Sequence, residues 1–229
     1  MGTSSARRGP TTGLWRSAKG AATRYLSPAA AGEVSAREVV ARYLAALEEA
    51  PGSGEALAAF RVTRKVAQDL GALWQEVAAR GWGLALKDRG LASLAREPAE
   101  MLGLGVSGVL AGSGGGLEEA VVRTALALVL GPAVTSEDVP EPAQIVRQFL
   151  VTALHLRLAL DLGEPLEAAA GSSGRFRDGL SRIKAVIEAG AEAAGAPSEP
   201  PATPGHWQGF TGWTWVSEVM AGLLGKLKG

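Results

Sequence analysis

Apolar residues recur at helical spacing along much of the chain. From Ser35 onward, one face of a predicted helix carries three such residues, Val40, Leu44 and Leu47. Ser35 and Glu38 have the spacing of a capping box, in which a hydroxyl accepts a hydrogen bond from a first-turn amide. Pro51 and Gly52 are typical of a helix end. The pattern predicts a helix between these points.

Further helices are predicted downstream. Five apolar residues repeat at spacings of three and four up to Gly81: Val66, Leu70, Leu73, Trp74 and Val77. Shorter helices are predicted over residues 84–96 and from Pro98. Another helix is predicted to begin at Leu117 and to end at Gly131 and Pro132. Residues 142–163 are apolar around most of the circumference, which predicts a central helix.

The last helix of the predicted body has an apolar face of four residues, Phe176, Leu180, Ile183 and Ile187. It begins after the GSSG sequence and ends near residue 195. No segment has the alternation of a half-buried strand. We therefore predict an all-α protein, an irregular helical bundle over residues 34–195 with a flexible N-terminal arm and an amphipathic C-terminal tail.

The tail follows a stretch rich in proline. Four prolines predict a stiff, extended linker over residues 196–205: Pro197, Pro200, Pro201 and Pro204. Five apolar residues form a stripe on the helix predicted after it: Trp213, Val216, Met220, Leu223 and Leu227. Residues 196–229 either dock into a groove on a partner or fold back on the bundle, and both interpretations stay open. Binding to a membrane interface is less favoured because Glu218 opposes the terminal lysines.

Composition restricts the chemistry. The 229-residue chain has 47% hydrophobic residues, enough for a substantial core, and it has no cysteine. Disulfides, thiolate metal sites and cysteine nucleophiles are therefore excluded, and we expect a cytoplasmic protein without a signal peptide. Of the two histidines, His155 lies in the central helix and His206 in the tail, and neither has a companion at ligand spacing. We expect no metal site, no bound cofactor and no enzymatic activity.

A glycine loop, GSGGG, precedes the helix that starts at Leu117. Helix N-termini preceded by glycines can bind phosphate groups. The loop and the helix after it match neither of the standard nucleotide-binding glycine motifs, and no strand is predicted before the loop. We therefore interpret it as a connection between two helices.

Positive charge is concentrated at the front of a chain whose net charge is zero. Five basic residues precede the first acid, Glu33: Arg7, Arg8, Arg16, Lys19 and Arg24. This basic arm, residues 1–33, either neutralises nucleic-acid phosphates or binds a protein surface through its aromatic and leucine side chains, and we favour the second interpretation. Further candidate partner-binding residues are Trp15, Arg16 and Tyr25 in this arm and Trp207, Trp213 and Trp215 in the tail.

The first residues, MGTSSARRGPTTG, have no apolar periodicity. Removal of Met1 before a residue as small as Gly2 exposes an α-amine, whose unperturbed pKa of about 7.7 to 8.0 leaves a nucleophilic neutral fraction. Thr3, Ser4 and Ser5 are small enough to enter the active site of another protein together with Gly2. N-myristoylation is a minor alternative, because Ala6 stands where that motif requires Ser or Thr.

Several segments together resemble component B of the Qat anti-phage defence systems. They are the opening MGTSS, the basic WRSAKGAATRYLS, GVSGVLAGSGGGLEEAVVRTALALVLG and QIVRQFLVTALHLRLALDLG. The opening is the most specific of them, and the sequence after about residue 175 is not covered. Related chains carry a longer Pro-rich and acidic stretch after the opening. The short stretch here limits the reach of the N-terminus, since an extended chain spans about 3.3 to 3.6 Å per residue.

The resemblance implies a role in antiviral defence. It implies three partners: a QueC-like enzyme, a P-loop ATPase and a TatD-like nuclease. It also implies that this chain is a binding partner and substrate of the QueC-like enzyme, which would attach a deazaguanine group to Gly2 through an amide bond. Thr3, Ser4 and Ser5 would then be bound beside Gly2 in that enzyme.

Overall fold

The computed structural model describes residues 12–30, 32–49, 55–94, 97–112, 114–136, 138–195 and 199–229. These residues form nine α-helices and two short 3₁₀ turns, Pro28–Ala30 and Ala56–Phe60, and none of them forms a strand. The helices are α1 Gly13–Leu26, α2 Ala36–Glu48, α3 Arg61–Asp88, α4 Ala99–Ala111, α5 Leu117–Thr135, α6 Pro142–Ala170, α7 Ser173–Ala194, α8 Pro204–Gln208 and α9 Phe210–Lys228. The prediction of an all-α helical bundle is confirmed.

Local signals in the sequence set several helix boundaries. The Ser35 hydroxyl accepts a hydrogen bond from the Glu38 amide at 3.1 Å and caps α2, as the capping-box spacing predicts. Ser172 and Thr203 cap α7 and α8 in the same way. Gly81 interrupts α3 with a φ of 75°, a conformation that glycine adopts without a steric penalty. The helical periodicity therefore breaks where the sequence indicates.

Helix α6 runs through the middle of the bundle and contacts α1, α3, α5, α7 and α9. Its buried side chains lie on several sides of the helix and include Ile145, Phe149, Leu154, Leu158 and Leu162. A helix that is apolar around most of its circumference can bury that surface only at the centre of a domain. The prediction of a central helix here is confirmed.

Helices α4 and α5 pack closely against each other, and α5 extends beyond its predicted end. Helix α4 continues through the glycine-rich segment to Ala111 because Leu102 and Val106 are buried, and Gly103 lies close to the backbone of Gly131 on α5. Helix α5 passes Pro132 and ends at Thr135, whose hydroxyl donates to the Pro132 carbonyl at 2.9 Å. Burial of apolar side chains outweighs the helix-weakening effect of glycine and proline here.

The C-terminal segment folds back onto the bundle. Helix α9 contacts α2, α3, α6 and α7, and α8 contacts α3. Eight residues of α9 are buried: Gly212, Trp215, Val216, Val219, Met220, Leu223, Leu224 and Leu227. The Lys228 ammonium pairs with the Glu48 carboxylate on α2. Of the two interpretations of the tail, the structure supports folding back.

The structure also corrects the expected extent of the N-terminal arm. Residues 13–26 form α1, which packs against α2, α6 and α7 and buries Trp15 and Leu26. This part of the predicted arm belongs to the bundle because its apolar residues share one helical face, whereas residues 1–11 lie outside the described part of the chain. None of the described helices is long and apolar enough to cross a membrane.

Candidate partner-binding surface on the first helix

The first helix is held in place by its apolar face. Trp15 is 5% exposed, and its ring meets the ring of Tyr43 on α2 edge to face, with 5.9 Å between centroids. Aromatic pairs in this geometry add about 0.5 to 1.5 kcal/mol to the free energy gained by burying their surface. Ala18 and Ala22 continue the buried face and let α1 approach its neighbours closely. The helix is therefore a fixed part of the surface.

The start of α1 is stabilised by an acid from another helix. The backbone amide of Leu14 donates to the Glu49 carboxylate at 3.2 Å, and Glu49 is the last residue of the turn that ends α2. A carboxylate at a helix N-terminus satisfies a free amide and interacts favourably with the helix dipole. Leu14 itself is 42% exposed, so the N-terminal end of α1 lies at the protein surface.

The outer face of α1 is basic. Arg16 and Arg24 are exposed, Lys19 is half-buried between them, and the helix contains no acidic residue. We call these three residues the basic face of α1. No ion pair joins any of the three to a carboxylate among the described residues. The face therefore offers its positive charge to a negatively charged surface of another molecule.

Beneath α1, a polar cluster connects α2 to α6. The Tyr43 hydroxyl donates to the Asp161 carboxylate at 2.8 Å, and Arg157 Nε donates to the same oxygen at 2.9 Å. Burial, reinforced by the nearby Asp161 charge, raises the pKa of Tyr43 well above its ordinary value. The phenol therefore stays protonated and continues to donate to Asp161, and the cluster fixes the relative position of the two helices on which α1 rests.

The predicted partner-binding residues separate into three groups. Gly2, Thr3, Ser4 and Ser5 lie outside the described residues. Trp15, Trp207 and Trp215 are 5%, 0% and 2% exposed, so the assignment of these three to a partner surface is corrected: their indoles pack inside this chain. Arg16 is exposed, and Tyr25 and Trp213 are half-buried, which leaves these three in positions that another molecule can contact.

The two buried tryptophans of the tail form a unit. Trp207 on α8 and Trp215 on α9 meet edge to face, with 5.2 Å between ring centroids. The Gln68 side chain on α3 donates to the Gly209 carbonyl at 2.7 Å, in the turn between the two helices. The periodicity of the tail could not show this, because the surface that buries the indoles comes from α3, more than a hundred residues earlier in the chain.

Trp213 faces a different environment from its two neighbours. The Arg64 guanidinium lies 4.5 Å from the centroid of the Trp213 ring, and Arg64 also donates to the Ser217 hydroxyl at 2.9 Å. A guanidinium over an indole face is a stabilising cation–π contact. Trp213 therefore joins α9 to α3 while part of its ring remains accessible.

His155 has a structural environment. Its Nε2 lies 3.2 Å from the Leu180 carbonyl on α7, and burial lowers the pKa of the imidazole below its ordinary value of 6.5. Among the described residues, no group of three or more histidine, aspartate or glutamate side chains could hold a metal ion. The described residues of the glycine loop, Gly112 and 114–116, lie between α4 and α5 and follow a helix, consistent with the interpretation as a helix connection.

Sequence reasoning missed two long-range acidic caps. Glu49 reaches the start of α1, and Glu118 on α5 accepts hydrogen bonds from the backbone and side chain of Thr63 at the start of α3. The position of Glu118 in the first turn of α5 is visible in the sequence, but its partner is not. Hydrogen bonds between residues distant in sequence have no spacing rule that could reveal them.

The fold and this surface define a small all-α protein with a fixed basic helix near its N-terminus and a C-terminal helix packed into its core. The family model described as "QatB: Qat anti-phage system associated protein QatB" matches residues 51–200. The chain therefore belongs to the QatB family and is a component of a Qat anti-phage defence system, whose other components are its partners. Comparison with curated proteins and with solved structures finds no match.

Proposed function

We propose that this chain is a non-enzymatic, cytoplasmic component of its defence system, and that a QueC-like enzyme binds it and modifies its N-terminus at Gly2. Membership of the QatB family supports the role in defence. The modification rests on the MGTSS opening, which is outside both the described residues and the matched range. A P-loop ATPase and a TatD-like nuclease are the further proposed partners.

The proposed reaction forms one amide bond. The neutral α-amine of Gly2 attacks the carbonyl carbon of a deazaguanine carboxylate that the enzyme has activated with ATP. The carbon–nitrogen bond forms, the activating group leaves with its electron pair, and the amine nitrogen gives up a proton. This chain supplies only the nucleophile, whose ordinary pKa of about 7.7 to 8.0 leaves part of it uncharged at neutral pH.

The observation that carries the proposed docking of the enzyme is the fixed, basic first helix of the fold. The Glu49 cap and the buried Trp15 ring anchor α1, and the basic face of α1 begins at Arg16, eleven residues after Ser5. An enzyme that docks on this face holds the segment at short range. Fully extended, residues 2–11 could span roughly 35 Å, enough to enter an active-site channel.

Intact-mass measurement after co-expression with the QueC-like enzyme tests the modification. The natural chain should lack Met1 and carry one deazaguanine adduct. Gly2→Pro should abolish the adduct, because proline presents a hindered secondary amine, while Gly9→Ala leaves the terminus unchanged and should be modified fully. An unmodified natural chain that has lost Met1 would overturn the modification, and a chain that retains residues before Gly2 would overturn the assignment of Gly2 as the terminus.

Charge reversal tests the docking surface. Arg16→Glu should weaken binding of the QueC-like enzyme and slow adduct formation by about tenfold, because it places an acid on the basic face. Lys87→Glu makes the same charge change at an exposed position in the last turn of α3 and should leave both unchanged. Equal effects of the two variants would show that net charge, not this face, governs binding.

Nucleic-acid binding is the second candidate function, because the basic face of α1 could also contact phosphates. This function predicts that affinity for DNA or RNA falls steeply as the salt concentration rises, and that Arg16→Glu loses binding. Absence of binding at low salt would remove this candidate and leave the protein-docking interpretation of the same residues.

A further inference from the structure

A second surface feature lies at the C-terminal end of α1. A cavity of about 420 Å³ opens between the last turn of α1, the connection from α1 to α2, and α7. Its walls include Tyr25, Leu26, Pro28, Val34, Arg175 and Arg182. The volume falls within the range of about 300 to 1,000 Å³ that is typical of small-molecule sites.

The cavity has a one-sided charge. Arg175 and Arg182 lie seven residues apart on α7 and therefore on the same side of that helix, and both side chains are exposed. Neither forms an ion pair with a carboxylate in the described part of the chain. The acids Glu33 and Asp178 are close in sequence to lining residues but do not line the cavity.

The polar groups of the cavity are held by contacts within the chain. Arg175 Nη1 donates to the Ala170 carbonyl at 3.4 Å, and the Arg182 guanidinium lies 5.7 Å from the centroid of the Tyr25 ring. The Tyr25 hydroxyl donates to the Gly179 carbonyl at 3.2 Å, which fixes its ring beside the opening. These contacts use few of the five donors of each guanidinium, so most remain for a ligand.

Leu26, Pro28 and Val34 supply an apolar wall beside the polar Ser27. Leu26 and Val34 are buried, and Pro28 stands at the start of the connection from α1 to α2. A site that combines an apolar wall with two guanidinium groups is suited to a ligand with a flat apolar part and a multiply charged anionic part. A phosphate group fits the second requirement better than a carboxylate, because it can carry two negative charges and accept two paired hydrogen bonds from each arginine.

We propose that this cavity binds a phosphate ester of nucleotide size, with the phosphate on Arg175 and Arg182 and the ring on the wall formed by Leu26, Pro28 and Val34. None of the three residues of the basic face lines this site, and the site does not depend on modification at Gly2. It gives the chain a ligand-binding function in addition to its proposed role as a partner.

Calorimetric titration of the full chain with AMP tests the proposal, with adenosine and inorganic phosphate as partial ligands. AMP should bind, and each partial ligand should bind at least about tenfold more weakly because it makes only one of the two sets of contacts. Absence of AMP binding at about 5 mM would overturn the proposal. Equal binding of AMP and inorganic phosphate would overturn the role of the apolar wall.

The arginine variants locate the site. The double variant Arg175→Gln, Arg182→Gln should weaken AMP binding by at least about tenfold, because both charged donor groups are lost. Arg177→Gln removes one positive charge from an exposed position on α7 that does not line the cavity, and it should bind AMP within about twofold of the natural chain. Unchanged binding in the double variant, with its helical circular dichroism spectrum intact, or an equal loss in Arg177→Gln, would overturn the assignment.

Discussion

Glu118, in the first turn of α5, accepts hydrogen bonds from two groups of Thr63 in the first turn of α3, the backbone amide at 2.8 Å and the hydroxyl at 3.0 Å. Thr63 is buried, so these groups have no access to water. One carboxylate oxygen therefore performs the capping role that a local side chain performs at α2 and α7. This contact connects the starts of two helices across the bundle.

Replacement of Glu118 should destabilise the fold. Glu118→Ala leaves the buried amide and hydroxyl of Thr63 without an acceptor, and the free energy of unfolding should fall by about 1 to 2 kcal/mol. Urea denaturation of the full chain measures this change. Glu119→Ala is the matched control, because Glu119 shares the first turn of α5 but makes no hydrogen bond to Thr63. A loss in the control as large as in Glu118→Ala would assign the effect to the helix dipole.

A pair of glycines on α3 tests the packing of the C-terminal segment. A Cβ atom at Gly71 would overlap the ring of Trp207 on α8, so Gly71→Ala should destabilise the protein by about 1 to 3 kcal/mol through overpacking. Gly83 lies on the same helix with no neighbouring atom within 4 Å of such a Cβ. Gly83→Ala should be neutral or stabilising by up to about 1 kcal/mol. Thermal unfolding of both variants tests this contrast, and equal behaviour would contradict the docking of α8 on α3.

The polar cluster under α1 should contribute measurably to stability. Tyr43→Phe removes the hydrogen bond to Asp161 from a buried site and should lower the free energy of unfolding by about 1 to 2 kcal/mol at neutral pH. Tyr25→Phe removes a hydrogen bond from a half-buried ring and should have a smaller effect. If the two variants lose equal stability, the buried hydrogen bond from Tyr43 to Asp161 stabilises the fold no more than the hydrogen bond of Tyr25.

The pKa of Tyr43 also sets a pH dependence. Because burial raises the pKa in the folded state above the ordinary value of 10.0, the unfolded chain loses the Tyr43 proton first as pH rises. The associated stability is complete below pH 10 and is lost above it. Unfolding measured between pH 9 and about pH 11 should therefore show a shallower decline in Tyr43→Phe than in the natural chain. Parallel declines would contradict the raised pKa.

His155 should make the fold sensitive to mild acid. Burial lowers the pKa of the folded imidazole below 6.5, so the unfolded chain binds a proton more readily and stability falls as pH drops below 6.5. His155→Gln keeps a donor for the Leu180 carbonyl and removes this titration, so its stability should fall less between about pH 7.5 and 5. His206→Gln, at an exposed position on α8, is the control and should follow the natural chain. A natural chain that loses no more stability than His155→Gln would contradict the burial of a neutral imidazole.

The sequence by itself determined the helical class, most helix positions and the central place of α6. The period of the apolar residues, the helix caps and the helix breaks all depend on residues close together in the chain. The hydroxyl of Ser35 accepts a hydrogen bond from an amide three residues later, and the conformation of Gly81 depends on its own lack of a Cβ. Gly2 could be singled out for a similar reason, because its small size directly after Met1 is a property of two adjacent residues. The structure leaves that choice as a prediction, since those residues lie outside its described part.

Only the tertiary structure decided which apolar faces are covered. The stripe of α9 and the ring of Trp15 are equally suited to a partner or to the bundle, and the choice depends on surfaces of α3 and α2 that are distant in the chain. The Glu118–Thr63 cap and the convergence of Tyr25, Arg175 and Arg182 on one cavity depend on the same long-range packing. Burial free energy is a property of matched surfaces, and a single segment carries only one of the two surfaces.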